Sequence, residues 1–246
     1  MYFGYGYYFD WYYIPILLAV LFSVWTSIQV RSTFRRYSQV YNRRGVTGAD
    51  AARAVLAANG VGGVRIERIS GELTDHYDPR SNVIRLSADV YDSATPAAVG
   101  VAAHEAGHAV QYAVGYGPIK LRAAIVPAVN FGSKLSMPLL LIGLLLMSFT
   151  RYAELRTVFY YIALSGVACF GLCVFFQLVT LPTEFNASRR AMQAIRTTHL
   201  LDDEECTAAR KTLTAAALTY VAALAVSLLQ LLRLIAMFAG NRNNRR

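Results

Sequence analysis

The sequence predicts a mainly α-helical membrane protein: about four transmembrane helices with a small α+β domain among them. Three observations predict it. Of 246 residues, 55% are hydrophobic and only 16% charged, too apolar for an ordinary soluble domain. Four apolar stretches suit a bilayer core in length, at residues 12–30, 133–149, 158–181 and 215–238. Between the first two, an Ala-rich helical pattern and short alternating segments replace the apolar runs, as in an α+β unit.

Residues 1–13 are crowded with Tyr, Phe and Trp and carry no Lys or Arg, the pattern of an interfacial aromatic belt. A basic n-region and a small-residue cleavage site are lacking, so this end is expected to be retained. The first span follows, with Pro15 near its start, where a helix tolerates it. Arg31, Arg35, Arg36, Arg43 and Arg44 come next. Thr47 or Asp50 caps a helix over residues 48–58, ended by Asn59-Gly60. Residues 64–69 alternate as a half-buried strand, residues 77–82 read as a turn, and residues 83–86 as a second strand. A small antiparallel sheet is expected from these, with the strand at 83–86 a candidate edge for an extended peptide. Residues 87–92 begin a short helix. Thr95 as N-cap and Pro96 at the first position then start a longer one, which ends near Gly115.

Residues 121–130, interrupted by Pro127, are expected as an interfacial segment before the second span. Residues 150–156 form a short outer loop. The third span exits at Pro182, after which Thr183 caps a new helix to about Thr198. Leu201-Asp-Asp-Glu-Glu205 opens another helix, its acids suiting the helix dipole. The fourth span carries Arg233, long enough to snorkel, and residues 241–246 form a polar tail. The organisation is therefore residues 1–30, aromatic N-terminus and first span; 31–132, the α+β domain with the helix that starts at Pro96; 133–181, transmembrane hairpin; 182–214, further helices; and 215–246, fourth span and basic tail.

A net charge of +9 invites a nucleic-acid partner, but the basic residues flank apolar spans and no nucleic-acid-binding signature occurs. No nucleic-acid partner is expected; the membrane is. Most of the 24 basic residues fall in segments that share one side, which the positive-inside rule makes cytoplasmic. The basic tail conflicts with this count. Three cysteines make no disulfide framework; Cys169 and Cys173 sit in an apolar run as packing residues, and Cys206 stands alone.

The chemistry concentrates in Val101-Ala-Ala-His-Glu-Ala-Gly-His-Ala-Val-Gln111. His104, Glu105 and His108 make an H-E-x-x-H pattern, and helix positions i and i+4 share a face, so both imidazoles can reach one metal ion. Glu105 sits where the general base of a zinc hydrolase lies. The surrounding run is apolar and small, and burying two histidines and a carboxylate there without partners would cost several kcal/mol. A catalytic zinc needs a third protein ligand and one open position. Glu154 lies in the opposite loop, and the acids at 202–205 suit a solvated helix start. Glu184 is the favoured third ligand, against a reading as an acid capping a new helix.

His104-Glu-Ala-Gly-His108, followed after a hairpin of spans by Glu184-Phe-Asn-Ala-Ser-Arg-Arg190, resembles the YugP-type bacterial membrane zinc metallopeptidases. Thr74-Asp-His-Tyr-Asp-Pro-Arg80 and Val83-Ile-Arg-Leu-Ser87 are similar to that family too, and the likeness covers about residues 12–240. More distantly the chain is similar to the HtpX-type peptidases, in which an Asp follows the ligand Glu by four residues. Ser188 stands at that place here, and Asn186 or Ser188 would supply a weaker hydrogen bond to a ligand histidine. The resemblance implies a zincin-like cytoplasmic catalytic domain in a bacterial inner membrane. It also implies a gluzincin endopeptidase with one Zn²⁺ per chain on His104, His108 and Glu184, and protein or peptide substrates. A homo-oligomer is compatible with the sequence.

Other residues stay open. His76 is an oxyanion donor or substrate contact, or a turn histidine paired with Asp75 or Asp78. Arg189 and Arg190 bind a substrate carboxylate or steady Glu184, or are positive-inside anchors. His199 reads as a helix C-terminal histidine. Two other function classes compete. A non-catalytic metal-binding membrane scaffold would have no need of Glu105. A transporter would be expected to show charged residues in its spans and a matched pair of broken helices; the spans carry few charges and no such pair.

Overall fold

In a computed structural model, residues 11–72 and 74–243 are described. Most of the expected aromatic belt and the end of the tail lie outside them. The elements run α1 (Tyr13–Tyr37), α2 (Gly48–Ala58), β1 (Arg65–Ile69), β2 (His76–Asp78), β3 (Val83–Ser87), α3 (Ala88–Tyr91), α4 (Pro96–Ala113), α5 (Gly117–Phe149), α6 (Ala153–Thr197) and α7 (Asp203–Asn243). Four helices, at Tyr13–Tyr37, Gly117–Phe149, Ala153–Thr197 and Asp203–Ala239, are long and apolar enough to cross a membrane. The chain is a mainly α membrane protein with a small α+β domain.

The chain divides into two compact units. One holds residues 1–25, 128–175 and 222–246; the other holds 26–127 and 176–221. In the first, Leu140, Ala163, Val167 and Phe238 form a small core. Helices α5 and α6 touch backbone to backbone there: a Cβ on Gly166 would stand 2.6 Å from the Leu140 nitrogen. Small residues are the usual means of close helix packing in lipid. Leu17, Leu21, Leu141, Leu145 and Ile235 stay exposed, an apolar surface that suits lipid tails. Arg233 does more than snorkel: it donates to the Tyr13 hydroxyl at 2.7 Å and lies over that ring, 4.2 Å from its centroid.

In the second unit the core is built from Val55 and Leu56 of α2, Ile84 and Leu86 of β3, Val99 and Val110 of α4, and Ile195 of α6. Thr47 caps α2 in a reciprocal capping box with Asp50. Thr95 caps α4 by accepting from the Ala98 amide, with Pro96 at the first helical position.

The sheet differs from the expectation. It has three strands in the order β1-β3-β2; β1 and β3 are parallel, β2 and β3 antiparallel. The segment expected as a turn at 77–82 contributes Tyr77 and Asp78 to a short strand, and the reversal itself is left to residues 79–82, with Asn82 at φ 53. β3 is therefore the central strand rather than an edge, and all but one of its residues are buried. The two edges of the sheet belong to β1 and β2.

The helices run longer than expected. α5 passes through Pro127 without an interfacial break, and the outer loop shrinks to residues 150–152. α7 starts at the acids and runs unbroken through the fourth span, to the third residue of the expected tail. α6 passes through Pro182, so Thr183 caps nothing; its hydroxyl instead donates to the Val179 carbonyl at 3.2 Å within the continuing helix. Proline removes one donor, and helices among other helices tolerate that when neighbours satisfy the freed groups.

Candidate metal centre

α4 is nearly all Ala, Gly and Val on its buried faces, so it can lie close to its neighbours. Gly107 faces α6, where an added Cβ would stand 2.6 Å from the Ala187 carbonyl oxygen. This contact sets His104 and His108 opposite Glu184 and Ser188. Glu184 is mid-helix and 3% exposed, which removes its reading as a capping acid.

One nitrogen from each histidine and one Glu184 oxygen lie within 4.8 Å of one another and could hold a metal ion. His104 Nε2 is 3.2 Å and His108 Nε2 3.6 Å from Glu184 Oε2. A tetrahedral zinc with bonds of about 2.0–2.1 Å separates its ligand atoms by about 3.3 Å. The donor set fits that ion in kind and in spacing.

The outward nitrogens are also held. Ser188 Oγ is 3.0 Å from His104 Nδ1, and Gln111 Oε1 is 3.0 Å from His108 Nδ1. Gln111 Nε2 donates to the Thr183 carbonyl at 2.8 Å and to Asn186 Oδ1 at 3.0 Å. With its amide nitrogen committed to two acceptors, Gln111 turns its oxygen to His108. That requires the proton on Nδ1 and aims Nε2 at the metal position. Arg190 donates to Asn186 Oδ1 at 2.8 Å, one step further back. Burial alone would lower the His108 pKa; the hydrogen bond it donates to Glu184 and the charges of Glu105 and Glu184 carry it above its ordinary value.

The Glu184 carboxylate is satisfied on its other side. Arg122 Nη1 donates to Oε1 at 3.1 Å, and the Tyr220 hydroxyl also hydrogen-bonds Glu184. A carboxylate this buried needs such partners. Glu105 accepts from the Tyr77 backbone amide at 2.9 Å. Tyr77 is the middle residue of β2, so the outer edge of that strand faces the motif helix. Asp75 accepts from the Ser87 amide at 2.7 Å and from its hydroxyl; burial outweighs these bonds and pushes its carboxyl up.

A cavity of about 290 Å³ opens on this cluster, its lining including His76, Glu105, Arg122, Glu184 and Tyr220. His76 is exposed and donates from Nδ1 to the Thr74 carbonyl at 2.8 Å. Its expected aspartate partners are engaged elsewhere: Asp75 with Ser87, Asp78 with Ser81 and Arg85. Arg189 lines a separate groove. The acids at 202–205 include a reciprocal cap between Asp202 and Glu205, and Glu205 also accepts from the Arg43 amide at 2.7 Å.

Sequence reasoning missed Gln111, Arg122, Tyr220 and the Tyr77 amide. Gln111 left a signal, as a lone amide one turn after His108 on a buried face. Arg122 and Tyr220 left none, since helices far apart in sequence bring them in.

The comparisons with known proteins point to the same class of chemistry. Residues 12–239 match the family described as "putative neutral zinc metallopeptidase". The chain is 43% identical over 227 residues to the "Putative membrane protease YugP" of Bacillus subtilis (strain 168), covering 92% of this chain and 96% of that one. No solved structure matches at a significant level. With the motif helix, the buried glutamate and the match spanning both, this chain belongs to the neutral zinc metallopeptidase family.

Proposed function

We propose that the protein is an inner-membrane zinc endopeptidase of the gluzincin type, cutting unfolded or membrane proteins on the cytoplasmic side. The observation that carries this reading is the Glu105 carboxylate, pinned by the Tyr77 amide beside three converging metal donors. His104, His108 and Glu184 would hold one zinc per chain. When bound, zinc supplies Lewis acidity and an acidified water. Glu105 takes the proton of the attacking water and delivers it to the leaving amine. Arg122, whose guanidinium has further N–H groups beyond the one on Glu184, lines the cavity as a donor for the developing oxyanion, and His76 lies in the same lining as a substrate contact. An extended substrate would lie in the cavity lined by β2 and the motif helix, beside the Tyr77 amide that holds Glu105. The cytoplasmic side rests on the basic residues that flank the spans.

Zinc content of the purified chain tests the ligand set. The wild type is expected to hold about one zinc and Glu184→Ala close to none, with casein cleavage lost together with the metal. Full zinc and activity in Glu184→Ala would sink this ligand set.

A further inference from the structure

A groove of about 640 Å³ lies along the α6 and α7 segments of the second unit. Its α6 wall is one helix face: Phe185, Ser188, Arg189, Met192 and Arg196 are spaced i, i+3, i+4, i+7 and i+11. Its α7 wall is another: Arg210, Leu213, Thr214 and Ala217 are spaced i, i+3, i+4 and i+7. The apolar members Phe185 and Ala217 sit on the helix segments nearest the apolar stretches of α6 and α7. The cations Arg196 and Arg210 sit at the far ends. Along α6 the separation from Phe185 to Arg196 is roughly 16 Å, from eleven residues at 1.5 Å each. No acidic side chain is among the described residues that line the groove, and no ion pair among the described residues engages its three arginines.

Arginines at a span's end are expected simply as topology anchors. That reading does not require them on one face, around an apolar floor, with two of the three at its membrane-distal end and Arg189 midway along it. We propose that this groove binds an anionic phospholipid of the host bilayer, its phosphate on Arg196, Arg210 and Arg189 and an acyl chain on Phe185, Met192 and Leu213. Basic recesses between membrane helices are the usual sites for such headgroups. The groove also backs onto the metal centre, because Ser188 forms part of its wall and hydrogen-bonds His104. A lipid seated there would pack against the group that orients a metal-binding histidine. The site stands independently of any peptidase activity.

The test is calorimetric titration of the full chain in detergent with three probes: dioctanoyl phosphatidylglycerol, dioctanoyl phosphatidylcholine and glycerol phosphate. Phosphatidylglycerol is expected to saturate near one per chain, with each of the other two at least about tenfold weaker. Arg196→Gln with Arg210→Gln should weaken phosphatidylglycerol by about thirtyfold, with zinc content and thermal unfolding unchanged. Thr214→Trp, which fills the groove and keeps its charges, should weaken it as well. Equal binding of the two lipids, or wild-type affinity in both variants, would overturn the site. Glycerol phosphate binding as tightly as the lipid would overturn it too, in favour of a soluble phosphate ligand.

Discussion

His104 and His108 are each gripped from behind, by Ser188 and by Gln111. Partners of this kind typically change metal affinity by about 10–100-fold. Ser188→Ala should therefore weaken zinc by about tenfold or more, and Ser188→Asp should restore or exceed the wild type; competition against a chelator measures both, and an unchanged constant in Ser188→Ala would refute the orienting role. Protons compete for the same site. His108 has a folded pKa above its ordinary 6.5. It therefore contributes stability to the metal-free fold below that ordinary value, and the contribution is lost as pH rises through the folded value. Zinc displaces this proton, so its affinity should climb with pH over the same window and then level off. Affinity that is flat from about pH 6 upward would contradict the shift. Tyr220→Phe removes one of the hydrogen bonds that satisfy Glu184 and should weaken zinc by about tenfold in the same competition assay. The motif triad and Glu184 were visible in the sequence because metal chemistry dictates residue type and helix spacing. Arg122 and Tyr220 were not, because only the packed fold carries them to Glu184.

The element that matters most is the crossing of α4 on α6 at Gly107. Alanine in a helix interior is normally better than glycine by about 1 kcal/mol. At Gly107 the added methyl would run into the Ala187 backbone, 2.6 Å away, whereas at Gly100 it meets Ala209 at an ordinary 3.4 Å. Gly107→Ala should lower the unfolding temperature and strip zinc, while Gly100→Ala should do neither; the pair is read by thermal unfolding with metal analysis. At this scale the sequence misled in a consistent way. Proline residues were read as boundaries at Pro127 and Pro182, and both lie inside helices. Local propensity favours a break there. Packing among long neighbouring helices, and side-chain bonds such as Thr183 to Val179, outweigh it. The sheet was misjudged for a related reason: β2 has only three residues, too few for alternation to register, yet it makes β3 central and turns its own edge to Glu105.

For the whole molecule, the apolar excess and four spans were legible because a bilayer imposes length and composition on a segment directly. The division into two compact units was less so, since each long helix contributes to both. Sidedness is a prediction at this scale. Cysteines placed at the exposed Arg80, in the β2–β3 turn, and at the exposed Tyr152, in the outer loop, should label oppositely in spheroplasts with an impermeant maleimide: Tyr152→Cys from outside, Arg80→Cys only after lysis. The reverse pattern would put the metal centre outside. The central claim, that this is a zinc peptidase whose base is Glu105, has a more direct test in the paired assay of bound zinc and casein cleavage for wild type and Glu105→Gln in detergent. The account predicts about one zinc in both and cleavage in the wild type alone. Undiminished cleavage by Glu105→Gln, or zinc without any cleavage in the wild type, would contradict it.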